Sequence, residues 1–205
     1  DVSDPVQMST LADAARDHFG GFHVVCLNAG VGGGGMSWEA DLATWQGVLD
    51  VNLWGIIHGI HAFVPELVDQ KVGHVVITAS LAGFLYGPNM GPYNASKAAA
   101  VAIGETLAGE LAAVAPEVGV SILCPGWVNT RIFESDRNRP GGPIERDEPA
   151  RIAREEMAAF FASSMPAAQV AEAVVDGVRA RRLHILTHEM SEPAIRDRIA
   201  RVLDA

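Results

Sequence analysis

The chain has 205 residues, 49% hydrophobic and 20% charged, which suits one domain with a substantial core and rules out a disordered tail. A net charge of −10 and a pI near 5.0 argue against nucleic acid, whose phosphates call for a basic face. No apolar run is read as approaching the roughly 20 residues of a membrane helix, and no secretory pattern is read at the start, so no membrane partner is expected.

In chain order, Asp4 is a plausible helix N-cap and Pro5 suits the first turn; Met8, Leu11, Ala15 and Phe19 then share one helical face until Gly20 and Gly21 stop it. Residues 24–27 are a short apolar run, expected to be a strand buried on both faces as parallel strands are. A helical period begins near Asp41 and passes through Leu42, Trp45, Val48, Leu53, Ile56 and Ile60, with Pro65 expected to kink or interrupt it. Residues 74–80 read as a buried strand ending in Ser80. A helix over 91–114 and a strand over 118–124 follow. After a long run rich in Arg, Asp, Pro and Gly come a short helix over 152–161, a helix from Pro166, a strand over 183–186 and a helix over 193–203. Helices and strands alternate, the pattern of an open parallel sheet with helices on both faces, and the whole of 1–205 is expected to be one domain.

Gly30, Gly32 and Gly35 satisfy G-x-G-x-x-G after a strand, with Asp50 twenty residues beyond Gly30. In a dinucleotide fingerprint the acidic residue ends a second strand, whereas the helical period runs straight through Asp50. These glycines are therefore read as a flexible loop. Cys26 and Cys124 lie in apolar strands, as reduced cytoplasmic thiols would. His58 with His61, and His184 with His188, have helical or near-helical spacing but no nearby third ligand, so no metal is expected.

The chemistry concentrates in Ser80 and in Tyr93-x-x-x-Lys97. Residues four apart share a helix face, so phenol and ammonium can act on one object, with the strand-end serine opposite them. A nearby ammonium favours phenolate, so the Tyr93 pKa is expected to fall and make it an acid/base near neutral pH.

Asn28-Ala29-Gly30 after a strand, Asn52 in Val-Asn-Leu, Ser80, Tyr93-x-x-x-Lys97 and Pro125-Gly126 with Thr130 together resemble, in order and spacing, the short-chain dehydrogenase/reductase family. The resemblance implies a Rossmann-type doubly wound parallel sheet, NAD or NADP as cofactor, and an alcohol or ketone as substrate. It makes Tyr93 the catalytic acid/base, with Lys97 holding ribose hydroxyls, Ser80 orienting the substrate oxygen and Asn52 holding a relay water. It places Asp1 and Val2 near adenine, Asn28, Ala29 and Gly30 on the adenosine side, and Val51 near a ribose. Pro125, Gly126, Val128 and Thr130 would meet the nicotinamide end.

Residues 131–165 correspond to a mobile substrate lid. With Phe84, Leu85, Tyr86, Trp127, Phe133, Met157 and Phe160 in substrate-side segments, a bulky apolar substrate is expected. A homo-oligomer, dimer or tetramer, is implied through the small-residue helices. The family's glycine-rich loop and first strand have no counterpart, so the chain is expected to lack at least one N-terminal βα unit. The rival reading is a Rossmann-fold protein that binds a nucleotide or partner without turnover.

Overall fold

The computed structural model describes residues 1–138 and 148–204. Its frame is a four-stranded parallel sheet in the order β1 (Val24–Leu27), β2 (Gly73–Thr78), β3 (Val118–Cys124) and β6 (His184–Leu186). Each crossover carries helix, as parallel neighbours require. Helix α1 (Pro5–Phe19) precedes β1; α2 (Leu42–Leu49) and α3 (Gly55–Gln70) link β1 to β2; α4 (Gly91–Val114) links β2 to β3. A short parallel pair, β4 (Val128–Asn129) with β5 (Met165–Pro166), brackets helix α5 (Glu148–Ala162). Helix α6 (Ala167–Arg179) leads into β6, and α7 (Ser191–Leu203) ends the described chain. The doubly wound α/β architecture expected from the alternation is the one observed.

Strand alternation divides the core into two layers. Val25, Leu27, Val75, Ile77, Val120 and Ile122 pack with Ile56 and Val64 of α3 and with Leu107 and Leu111 of α4. On the opposite face Val76, Leu123 and Ile185 meet Val170 of α6. The inward glycines permit this closeness: a Cβ on Gly104 would stand 2.6 Å from Ile122 Cγ1, and one on Gly59 2.3 Å from Leu27 Cδ2.

Four expectations are corrected. Strand β1 is buried on one face only: Val25 and Leu27 are inside, while Val24 and Cys26 are exposed, because among the described residues β1 is the edge of the sheet and no helix covers that side of it. Helix α1 turns Met8 and Ala12 inward and leaves Leu11 and Phe19 exposed; its Asp4 cap is as expected, accepting from Val6 and Gln7 N–H. Pro65 does not interrupt α3, since it sits on the exposed side where the carbonyl it leaves unbonded can reach water. Finally, the unbroken helical stretch Leu42–Gln70 is 29 residues long and apolar enough to meet a membrane-span criterion, yet Ile56, Phe63, Val64 and Leu67 lie buried against the sheet.

Candidate active site

Ser80 follows β2 as the N-cap of a 3₁₀ turn, Leu81–Gly83, where its Oγ accepts from Ala82 N–H at 3.1 Å. The same hydroxyl lies 3.4 Å from the Pro125 carbonyl and hydrogen-bonds the Tyr93 phenol. Tyr93 sits in the first turn of α4, which places it at the C-terminal end of the sheet. One turn on, Lys97 is 2% exposed; its Nζ donates to the Thr78 carbonyl at 2.8 Å and stands 5.7 Å from the Tyr93 ring centre. The three chemistry-bearing residues thus converge from a strand end and a helix start.

Their ionisation differs from the expectation. Burial pushes the Tyr93 phenol above its ordinary value, with the Ser80 hydrogen bond pulling the other way. The expected fall fails because desolvation outweighs a lysine whose own charge is disfavoured: burial lowers Lys97 to about 8, the nearby Cys124 thiol opposing this. Cys124 itself, buried beneath, is raised to about 12 by burial.

Asn52 lies in a π-helical turn, Asp50–Trp54, inserted between α2 and α3. Such turns often mark functional sites, because the extra residue pushes a side chain off the helical register. Fully buried, Asn52 accepts from Val31 N–H at 2.8 Å and donates to Val31 O at 3.0 Å and Ser96 Oγ at 3.1 Å. This amide clamps the loop after β1 to α4. The glycines of that loop are close-packed, correcting their reading as a flexible segment. A Cβ on Gly33 would be 2.3 Å from Val48 Cγ2, and one on Gly34 2.5 Å from the Asn89 carbonyl. Gly32 N–H donates at 2.9 Å to Ser135, which donates in turn to the Ile132 carbonyl. Asp50 is helical, as the period indicated.

The residues expected on the cofactor side fall in three groups. Asn28, Ala29 and Gly30 follow β1, with Asn28 Oδ1 accepting from Thr78 Oγ1 at 2.9 Å. Gly30 is adjacent to Asn52 and Lys97: a Cβ there would lie 3.4 Å from Asn52 Oδ1 and 3.6 Å from Lys97 Nζ. Val51, half-buried, is in the π turn. Asp1 caps its own terminus through Ser3, and Val2 packs on Gly55, its carbonyl accepting from His58 at 2.9 Å if that nitrogen carries the proton. Pro125 and Gly126 leave β3 beside Ser80, Val128 is buried in β4, and Thr130 Oγ1 accepts from Ile132 N–H at 3.4 Å.

Above them is an aromatic cluster. Trp127 meets Phe160 and Phe161 edge-on at 5.5 and 5.4 Å, and Phe133 stacks on Phe161 at 5.4 Å. Phe161, Ser96, Ser135 and His188 were not singled out as site residues from sequence; only the fold brings them here. Of the expected lid over 131–165, residues 139–147 lie outside the described residues. No group of three metal-ligating side chains occurs among the described residues.

Residues 1–141 match the family model for short chain dehydrogenase. The chain belongs to the short-chain dehydrogenase family. A crystal structure of a short-chain dehydrogenase/reductase from Burkholderia phymatum in complex with NAD superposes with a TM-score of 0.89 at 39% identity, covering 96% of this chain and 72% of that one. A 1-deoxy-11-beta-hydroxypentalenate dehydrogenase of Streptomyces avermitilis is 40% identical over 157 residues, 73% of this chain and 57% of that protein. A CLA biosynthesis dehydrogenase/reductase of Lactiplantibacillus plantarum is 26% identical over 210 residues, 99% of this chain and 73% of that protein.

The site of this family member fits a ribosyl nicotinamide on its own evidence. Lys97 Nζ has three donors and is nearly sealed from water, yet only one hydrogen bond to it occurs among the described residues. A vicinal diol would satisfy the other two, and Gly30, lacking a Cβ, leaves that approach clear.

Proposed function

We propose that the protein is an NAD(P)-dependent oxidoreductase interconverting a secondary alcohol and a ketone. The carrying observation is the convergence of Tyr93, Ser80 and a sealed, under-bonded Lys97 at the sheet's C-terminal end. Bound nicotinamide supplies or accepts the hydride at the substrate carbon. In the reducing direction Ser80 holds the carbonyl oxygen and the Tyr93 hydroxyl gives it a proton as negative charge develops. In oxidation the same proton returns, so the alcohol O–H bond breaks into Tyr93 phenolate. A phenol held high by burial is ready as an acid at neutral pH and needs a more alkaline medium to act as a base. Lys97 holds the ribose hydroxyls, and Asn52 keeps the loop after β1 against α4.

Asp1 and Val2 serve the adenine end, Val51 the ribose, and Pro125, Gly126, Val128 and Thr130 the nicotinamide end. Residues 131–165 act as the lid, and the aromatic cluster around Trp127 and Phe161 favours a bulky apolar substrate. A groove of about 380 Å³ between α3 and α4, lined by Ile57, Ile60, His61, Ile103 and Leu107, suits the homo-oligomer contact that the family resemblance implies. A reducing cytoplasm accords with free Cys26 and Cys124: the register sets Cys26 level with Ser121, two strands across, and Cys124 a further three residues along β3, roughly 14 Å away in all, which a disulfide cannot bridge.

The test is cofactor binding and turnover by the protein at its full natural length, with NADH and NADPH against a panel of apolar ketones, beside Tyr93→Phe. Turnover lost with binding retained supports the reading. Absence of binding to either cofactor overturns it, and activity confined to small charged substrates overturns the substrate class.

A further inference from the structure

Three backbone and side-chain groups converge on one imidazole outside the Ser80, Tyr93 and Lys97 triad. His188, two residues past β6, stands 3.2 Å from the Trp127 carbonyl through Nε2. A carbonyl only accepts, so Nε2 carries the proton and Nδ1 is the acceptor. Nδ1 then receives Gly126 N–H at 3.3 Å and the Thr187 hydroxyl at 2.8 Å. The neutral ring therefore spans the loop that leaves β3, donating to the Trp127 carbonyl and accepting from the Gly126 N–H, groups that flank the Gly126–Trp127 peptide.

The fit is close. A Cβ on Gly126 would lie 3.0 Å from Nδ1 and 3.1 Å from Cε1, so a glycine is what brings this peptide within reach of the ring. The histidine is itself fixed, since its carbonyl accepts from Ser191 N–H at 3.0 Å in the first turn of α7. The loop it grips is otherwise tied at Pro125, whose carbonyl accepts from Leu81 N–H at 2.9 Å and faces Ser80. The backbone of Pro125, Gly126 and Trp127 is thus pinned from two sides, by the Ser80 turn and by His188.

We propose that His188 is a positioning residue that sets this loop in register for the nicotinamide half of the cofactor. It touches neither substrate nor reacting atoms and acts through the Gly126 and Trp127 peptides. The inference rests on the proposed function, in which this loop meets the nicotinamide end.

The experiment compares two ligands on wild type, His188→Leu and His188→Asn, using the protein at its full natural length. One is the preferred reduced dinucleotide, followed by its fluorescence. The other is ADP-ribose, or its 2′-phosphate if NADPH is preferred, which lacks the nicotinamide and is followed by calorimetry. His188→Leu is expected to weaken dinucleotide binding roughly tenfold, the scale of one lost hydrogen bond, and to leave ADP-ribose binding within about twofold. His188→Asn, which keeps an acceptor near the Nδ1 position, is expected to recover part of that loss. Equal weakening of both ligands would make His188 a general structural residue and overturn the inference; so would no change in either. Failure of the wild type to bind any nicotinamide dinucleotide would instead overturn the proposed function.

Discussion

Lys97 Nζ reaches back to the last carbonyl of β2, donating to Thr78 O at 2.8 Å. The ammonium therefore belongs to the sheet end as much as to its own helix, and it is held there with 2% exposure. That position sets how stability responds to alkali. The folded-state pKa of about 8 lies below the ordinary 10.5, so between these values the unfolded chain binds more protons and stability rises with pH. The gap amounts to about 3 kcal/mol, lost again as pH falls through 8. Urea midpoints of wild type and Lys97→Met from pH 7.5 to 10.5 should show wild type gaining on the variant. A constant difference across that range would contradict the burial account.

The chain has only two tyrosines, Tyr86 and Tyr93. In Tyr86→Phe, tyrosinate absorbance reports Tyr93 alone. Its midpoint is expected above the ordinary value of about 10, and higher again once Ser80→Ala removes the hydrogen bond that favours phenolate. A midpoint below 9 would mean that Lys97 dominates after all. Tyr93→Phe is expected to cut turnover by about 10³, within the range for loss of a general acid or base.

His74, 5% exposed at the far end of β2, lies 2.8 Å from Ser121 Oγ, which donates to the Arg182 carbonyl at 2.7 Å. Ser121 has one proton and gives it to Arg182, so His74 Nε2 is the donor to Ser121. Burial first, and Arg181 second, hold its pKa below 6.5. Being depressed in the fold, it leaves stability intact above pH 6.5 and erodes it as pH falls toward the folded value. His74→Leu should flatten the acid side of a pH and urea-midpoint series; an unchanged slope would remove His74 from the account.

Two glycines of similar local sequence should respond in opposite directions. A Cβ on Gly83 would press 2.8 Å against the Lys97 carbonyl, pushing the Leu81–Gly83 turn and its Ser80 cap away from α4. Gly83→Ala is expected to cost about 1–3 kcal/mol and to lower turnover at least tenfold. Gly109 has nothing within 4 Å, so Gly109→Ala should stabilise α4 by up to about 1 kcal/mol. Thermal melts of the two variants shifting the same way would refute the packing argument.

Where a residue's role depends on sequence-local geometry, the chain was readable. Helix α4 and strand β3 have the bounds anticipated, because Pro116 ends one and an unbroken apolar run makes the other. Tyr93 and Lys97 share a face for the simple reason that they are four apart on that helix. What could not be read depends on what covers a surface. Val24 and Cys26 look like core in sequence, yet among the described residues no helix is laid over them. The direction of the phenol's shift is hidden for a related reason: spacing reveals a neighbouring charge, but burial comes only with the assembled fold. His188 shows in the sequence only as half of a weak metal-like pair, since the loop it grips lies more than 60 positions away.

The π turn at Asp50–Trp54 has a bearing on how this protein can change over time. One residue more than an ordinary turn holds means that α2 and α3, though continuous, are out of phase by about 100°. Val48 is thereby aimed at the glycine loop while Ile56 and Val64 are aimed at the sheet. A single-residue deletion here would not merely shorten a helix: it would rotate every earlier side chain of α2 away from its partner. A substitution in this segment acts at one position, whereas a change of length acts on the whole of α2 at once.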